Sequence, residues 1–147
     1  MIAVDTNVLV YAHRRDSPNH LLAYRALEDL SASGRRWCLP WPCLHEFLAV
    51  VTHPRLYRPA TSMPDALGVL DDVMAAPGAT IIAEVDDHAR LLGRLLTGAP
   101  GVVGAKVHDA RVAAICIGHG VSELWTADRD FSYFPQLTTR NPLVAAL

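Results

Sequence analysis

Short apolar runs alternate along the chain with longer stretches whose apolar residues recur at helical spacing. The first run, "IAV", reads as a strand that ends in Asp5. "SPNHLLAYRALEDLSASG" reads as a helix, with Ser17 as cap, Pro18 in the first turn and Gly34 beyond the end. "WCL" is a short strand, and 42–52 a helix opened by Pro42 and halted before Pro54. "TSMPDALGVLDDVMAAPG" is a third helix, with a Ser62-to-Asp65 capping pattern. "TIIA" is a strand, and "DDHARLLGRLL" an amphipathic helix with acids at its positive end. Residues 106–117 read as a buried helix rich in Ala, Val and Ile, closed by Gly118. "ELWTA" is a strand, and "LTTR" a short last one. The βαβα alternation predicts an α/β domain with a mostly parallel central sheet. Ligands of such sheets bind beyond the carboxyl ends of the strands, and Asp5 lies at one of those ends.

Composition fits this reading. With 147 residues, 51% hydrophobic and 19% charged, the chain suits one globular domain over 1–147. No apolar run approaches the roughly 20 residues of a membrane span, and the start lacks a signal-peptide pattern; the expected location is the cytoplasm, with no membrane partner. Three cysteines, Cys38, Cys43 and Cys116, argue against a disulfide framework. Cys38 and Cys43 flank "LPWP", a poor match to a zinc site, so the expectation is reduced, buried thiols. The net charge of −2 does not advertise a nucleic-acid binder. The basic residues are nevertheless almost all arginine, with Lys106 the single lysine; arginine suits phosphate recognition, but the genome's base composition accounts for the bias equally and is the favoured reading.

Most acids read as solvated surface: Glu28, Asp29, Asp71, Asp72, Asp86 and Asp87 belong to amphipathic helices or their starts. Four positions differ. Asp5 ends a strand, where it could cap the next helix, although Asn7 could cap it equally well. Glu46 has Cys43, Ala49 and Val50 as helical neighbours, so it is expected on a buried stripe, in an ion pair with an arginine if it has no other role. Asp109 has Val112, Ala113 and Cys116 as neighbours and lies at a helix start, where the dipole alone would favour an anion. Asp128 and Asp130 follow a strand, where a turn is the ordinary explanation. Asp128, nearer the strand end, is expected to face the cleft, and Asp130 to face solvent or a basic group.

If strand ends and helix starts share one edge of a parallel sheet, these acids converge. Two carboxylates ~5 Å apart repel by about 3 kcal/mol at an effective dielectric near 20, so a positive charge must compensate. All-oxygen ligands favour Mg²⁺ or Mn²⁺, and carboxylates holding such ions perform metal-assisted phosphodiester hydrolysis. Two other enzyme classes place an aspartate after the first strand. Phosphatases with a DxD pair need a second acid where Asn7 stands, and receiver domains need a lysine after a late strand, whereas Lys106 precedes a helix. The histidines, His13, His45, His53, His108 and His119 among them, show no triad or zinc spacing.

"VDTNVLVYA", "HEFL", "HDARVAA" and "LWTADRDF", in that order, resemble the motifs of PIN-domain nucleases, above all the VapC-type toxins of bacterial toxin–antitoxin pairs. The resemblance spans nearly the whole chain. It implies a three-layer α/β/α sandwich around a parallel sheet and a Mg²⁺- or Mn²⁺-dependent endoribonuclease, the toxin of a type II system. It also implies an RNA substrate, a small antitoxin partner and a homodimer. By resemblance, Asp5, Glu46 and Asp109 are the core metal-binding acids and Asp128 the fourth, with Asp130 its competitor. Thr6 or Asn7, and Thr126, match the polar positions that hydrogen-bond the cluster. The segment "THPRLYRPATS" is more basic and aromatic than a plain connector. Arg55, Tyr57 and Arg58 there offer phosphate contacts and a stacking ring, with an exposed Pro-rich connector as the other reading. The alternative function is a non-catalytic RNA- or protein-binding module that retains the fold.

Overall fold

The computed structural model describes residues 1–144. Its sheet has five parallel strands in the order β3-β2-β1-β4-β5: β1 (Ile2–Val4), β2 (Trp37–Pro40), β3 (Ala79–Ile82), β4 (Glu123–Trp125) and β5 (Thr139–Arg140). Helices α1 (Thr6–His13) and α2 (His20–Ala32) join β1 to β2. Helices α3 (Trp41–Val51) and α4 (Met63–Met74) join β2 to β3, and α5 (His88–Thr97) and α6 (Val107–Gly118) join β3 to β4. Parallel neighbours require such crossovers, because a tight turn cannot reverse the chain twice.

The strands alternate sides. Ala3, Cys38 and Leu124 pack into one core with Ala113, Cys116 and Phe131. Ile2, Val4, Trp37, Leu39 and Trp125 pack into another with Val8, Leu44 and Ala66. Period-two alternation in strands this short is what divides the apolar residues between two layers of helices. The result is the expected three-layer α/β/α sandwich. The strand order runs outward from β1 through β2 and β3, then restarts on the other side of β1 with β4. The crevice of such a sheet opens at this reversal, beyond the carboxyl ends of β1 and β4.

The predicted elements appear with local differences. Ser62 caps α4, accepting from the Asp65 amide at 3.2 Å. Ser17 does not cap α2: its hydroxyl accepts from the Asn19 amide at 3.1 Å, closing a turn, and the helix starts at His20. Gly118 does end α6, but without the left-handed conformation of a glycine stop. It is the helix's last residue, and Gly120, at φ 67°, makes the exit. Gly118 is small for a packing reason, since a β-carbon there would stand 2.8 Å from Val85 Cγ2. No helix among the described residues is long and apolar enough to cross a membrane. The three cysteines are free and buried.

Candidate active site

Asp5 occupies the cap position of α1 in an extended conformation and is only 5% exposed. Its carboxylate accepts four hydrogen bonds. Oδ1 accepts from the Thr6 amide at 2.8 Å and the Cys43 thiol at 3.4 Å; Oδ2 accepts from Thr126 Oγ1 at 2.7 Å and Asn7 Nδ2 at 3.1 Å. Burial nevertheless raises its pKa, against the lowering effect of the bonds from Thr126, Thr6 and Cys43, and Asp128 adds repulsion. Asn7 is therefore not an alternative cap. It ties the end of β1 to the chain after β4: Nδ2 also reaches Thr126 Oγ1 at 3.2 Å, and Oδ1 accepts from the Ala127 amide at 2.9 Å. Thr126 is buried and accepts from the Asp128 amide at 3.0 Å.

Glu46 is not on a buried stripe. Of its helical neighbours only Cys43 is buried, and Glu46 and Ala49 are exposed. The face of α3 that carries Glu46 looks across the open crevice rather than into the core. Among the described residues no arginine pairs with Glu46; instead its Oε2 accepts from Thr6 Oγ1 at 2.9 Å, and Thr6 also reaches the Cys43 carbonyl at 3.3 Å.

Asp109, in the first turn of α6, is half-buried, above buried Val112, Ala113 and Cys116. Desolvation first, and then the charges of Asp128, Asp5, Asp130 and Glu46, push its pKa to about 6. All four other acids thus act on one carboxyl. Asp128 caps the 3₁₀ turn Arg129–Tyr133, its Oδ1 accepting from the Asp130 amide at 2.8 Å. This turn corrects the expectation for Asp130. The chain curls back after Asp128, so oxygens of Asp109, Asp128 and Asp130 all lie within 4.8 Å of one another. Asp130 stands with its fellow acids, partly exposed, and pairs with no basic group among the described residues.

Two lobes open on either side of these carboxylates. One, of about 170 Å³, is bordered by Asp5, Glu46, Asp109 and Asp128 together with Tyr11 and Tyr57. The other, of about 420 Å³, shares Asp5, Glu46 and Asp109 and is bordered by His45, His108 and Arg111. Of the segment after α3, the structure brings Tyr57 to the cleft, whereas Arg55 and Arg58 are exposed and Arg58 borders a separate groove near α2 and α4. Residues that sequence reasoning missed are Cys43, Tyr11 and the two lobes' basic and apolar walls. A spacing signal existed for some of them: Tyr11 is four residues after Asn7, and Val50, which also lines the smaller lobe, is four after Glu46, each pair sharing a helix face.

The donor set fits a divalent cation. The side chains are all oxygen ligands, and the ion pairs among the described residues, Arg14–Asp16, Arg90–Asp87 and Arg111–Glu84, include none of the five acids. A set of carboxylates with no internal counter-charge is arranged to receive one.

The comparisons with known proteins agree with this architecture. The PIN domain family model matches residues 2–137. A VapC ribonuclease of Mycobacterium bovis is 36% identical over 143 residues, covering 97% of this chain and 96% of that protein. Ribonuclease VapC43 of Mycobacterium tuberculosis gives the same figures, 36% over 143 residues with 97% and 96% covered. Among solved structures, VapBC2 from Rickettsia felis bound to a DNA fragment from its promoter superposes with a TM-score of 0.70 at 21% identity, over 96% of this chain and 98% of that one. With its acids at the switch point of a parallel sheet and these relatives along its length, the chain belongs to the PIN-domain family and, within it, to the VapC proteins.

Proposed function

We propose that residues 1–147 act as one nuclease domain, a Mg²⁺- or Mn²⁺-dependent endoribonuclease that is the toxin of a type II toxin–antitoxin pair and works in the cytoplasm. The observation that carries this reading is the convergence of Asp5, Glu46, Asp109, Asp128 and Asp130 on one crevice without a cationic partner among the described residues. Relatives named VapC ribonucleases support the activity, and solved VapBC complexes support a small antitoxin as partner. A homodimer is part of the same proposal, as the resemblance of the motifs implies.

Asp5, Glu46, Asp109 and Asp128 would hold the ion, with Asp130 beside them. The bound ion supplies water activation and neutralises charge on the phosphate and the departing oxygen. The chain's own residues set the stage. Thr6 fixes the rotamer of Glu46, and Asn7 and Thr126 fix Asp5. Before an ion binds, burial and the neighbouring acids push the Asp109 carboxyl to about 6. His45, His108 and Arg111 offer donors to flanking phosphates in the larger lobe. Hydrolysis joins a water oxygen to phosphorus and breaks one phosphorus–oxygen ester bond, with the proton passing to the departing oxygen.

The experiment is RNA cleavage by purified Asp5→Asn, Glu46→Gln and Asp109→Asn, beside growth of cells expressing each. Each variant is expected to lose activity by orders of magnitude while keeping its fold, and only the wild type should arrest growth, relieved by the co-expressed antitoxin. Full activity of Asp5→Asn would remove the proposed site. A wild type that binds RNA with metal and leaves it intact would return the non-catalytic module.

A further inference from the structure

The smaller lobe has a wall that the carboxylates do not account for. Tyr11 of α1 and Tyr57 of the segment after α3 border it, with Val10 and Val50. Both tyrosines are half-buried. Among the described residues neither phenol hydroxyl is bonded within the protein, and neither oxygen is a buried atom left without a partner. Two aromatic rings with free hydroxyls therefore stand within the same cleft as Asp5 and Asp128.

Tyr57 is also braced. The Arg14 guanidinium carbon lies 4.4 Å from its ring centroid. Arg14, with its side chain 12% exposed, is held in turn by Asp16 at 2.7 and 2.9 Å, by the Pro59 carbonyl at 3.0 Å and by Thr61 Oγ1 at 3.3 Å. His13 pins the same Thr61 hydroxyl at 2.8 Å. A ring held this way loses little freedom when a ligand arrives. This arginine is thus committed to the loop and not to a phosphate.

The chemistry of the lobe selects its occupant. The carboxylates of this lobe are those proposed to hold the ion and with it the scissile phosphate; its other walls, Tyr11, Tyr57, Val10 and Val50 among them, offer no cation for a second phosphate. A nucleobase is flat and uncharged, and stacks on aromatic rings whatever its identity. A volume of about 170 Å³ is of a size for one base.

We infer that Tyr11 and Tyr57 form the subsite for the nucleobase next to the scissile phosphate, that Arg14 is the positioning residue for the Tyr57 ring, and that the nucleotide bound there is unpaired. The inference rests on the endoribonuclease reading for the word scissile, and its test separates the two. Labelled single-stranded RNA oligonucleotides, each with one abasic nucleotide at a successive position, are titrated by anisotropy in Ca²⁺ and cleaved in Mg²⁺. Tyr57→Ala is expected to weaken binding and raise KM roughly ten- to hundredfold, the range of one stacked base, with kcat nearly unchanged. Tyr57→Phe keeps the ring and should stay within a few-fold of wild type. One abasic position beside the cleaved bond should cost the wild type the same factor and cost Tyr57→Ala nothing further. Arg14→Gln should raise KM less than Tyr57→Ala does, and add no further loss to Tyr57→Ala. Binding by Tyr57→Ala equal to wild type, or abasic penalties that multiply with the mutation at every position, would overturn the subsite. If the wild type cleaves no RNA, the nuclease reading fails, and the anisotropy still decides: base- and Tyr57-dependent binding supports the subsite, while base-independent binding or none removes it.

Discussion

At the scale of single residues, the two most perturbed acids differ in what surrounds them. Asp5 is buried but carries four donors, so its oxygens are fixed in place. Asp109 is half-buried among like charges, with its carboxyl raised to about 6 from an ordinary 3.8. The folded, metal-free protein therefore holds this proton more tightly than the unfolded chain does. The resulting stability is complete below the unfolded value of 3.8 and is lost as pH rises through about 6. In chelator, the melting temperature contribution of Asp109 should fall between about pH 4 and pH 6 and level off above that, and Asp109→Asn should flatten that slope. Metal affinity should move the opposite way, weakening below about pH 6 as protons compete for the ligands. Melts and Mn²⁺ titrations across this range check both; an unchanged slope in Asp109→Asn would assign it to other groups. The sequence marked these acids because a carboxylate at the end of an apolar strand, or above apolar helical neighbours, is costly without a role. It misplaced Glu46 because helical spacing reports which residues share a face, whereas the fold decides that this face borders a crevice and not the core. Asp130 was misread for a related reason: distance from a strand end in sequence does not reveal that a 3₁₀ turn folds the chain back toward Asp109.

At the scale of elements, the site depends on the seam between β1 and β4. These strands are far apart in sequence and pair in register, Val4 with Trp125. Beyond the last pair, Asn7 continues the seam with side-chain bonds to Asp5, Thr126 and the Ala127 amide. Asn7→Ala leaves that amide without its partner, at a cost of about 1–3 kcal/mol. A melting temperature several degrees lower is expected, with reduced metal response because the Asp5 and Asp128 backbones are no longer fastened together; a melt equal to wild type would show that solvent replaces the seam. The strands and helices themselves were largely legible, since periodicity, Ser62 with Asp65, and Pro42 and Pro54 are local signals. The seam was not. It joins residues over a hundred positions apart, and nothing within "DTN" alone says that Asn7 will bond across the sheet instead of capping α1. The start of α2 was misjudged because Ser17 spends its hydroxyl on a turn, and Gly118, where α6 ends, is small for its contact with Val85.

At the scale of the whole molecule, the crevice couples folding to metal. The fold brings acids from β1, α3, α6 and the turn after β4 to one edge, so their repulsion is a property of the native state and is relieved when the chain unfolds. A divalent ion that binds only the native state stabilises it by about 2.7 kcal/mol at a hundredfold excess over Kd. Wild-type protein should therefore melt higher in Mg²⁺ or Mn²⁺ than in chelator, and Asp5→Asn should show a smaller rise. The two acids of the last turn can be ranked by their neighbours. Asp128 borders the cleft with Asp5 and repels both Asp5 and Asp109, whereas Asp130 is grouped with Asp109 and Asp128 only. Asp128→Asn and Asp130→Asn should each raise the metal-free melt, because each removes one repelling charge. Both should shrink the metal-induced shift, Asp128→Asn more. An asparagine at 128 still offers an oxygen to the Asp130 amide, so the turn survives the change and the comparison reports charge. If Asp130→Asn leaves both melts unmoved, its carboxylate is a neighbour of the ion site and not a part of it. If it has the larger effect, the ion is centred on the Asp109–Asp128–Asp130 group and Asp5 acts chiefly by holding the seam.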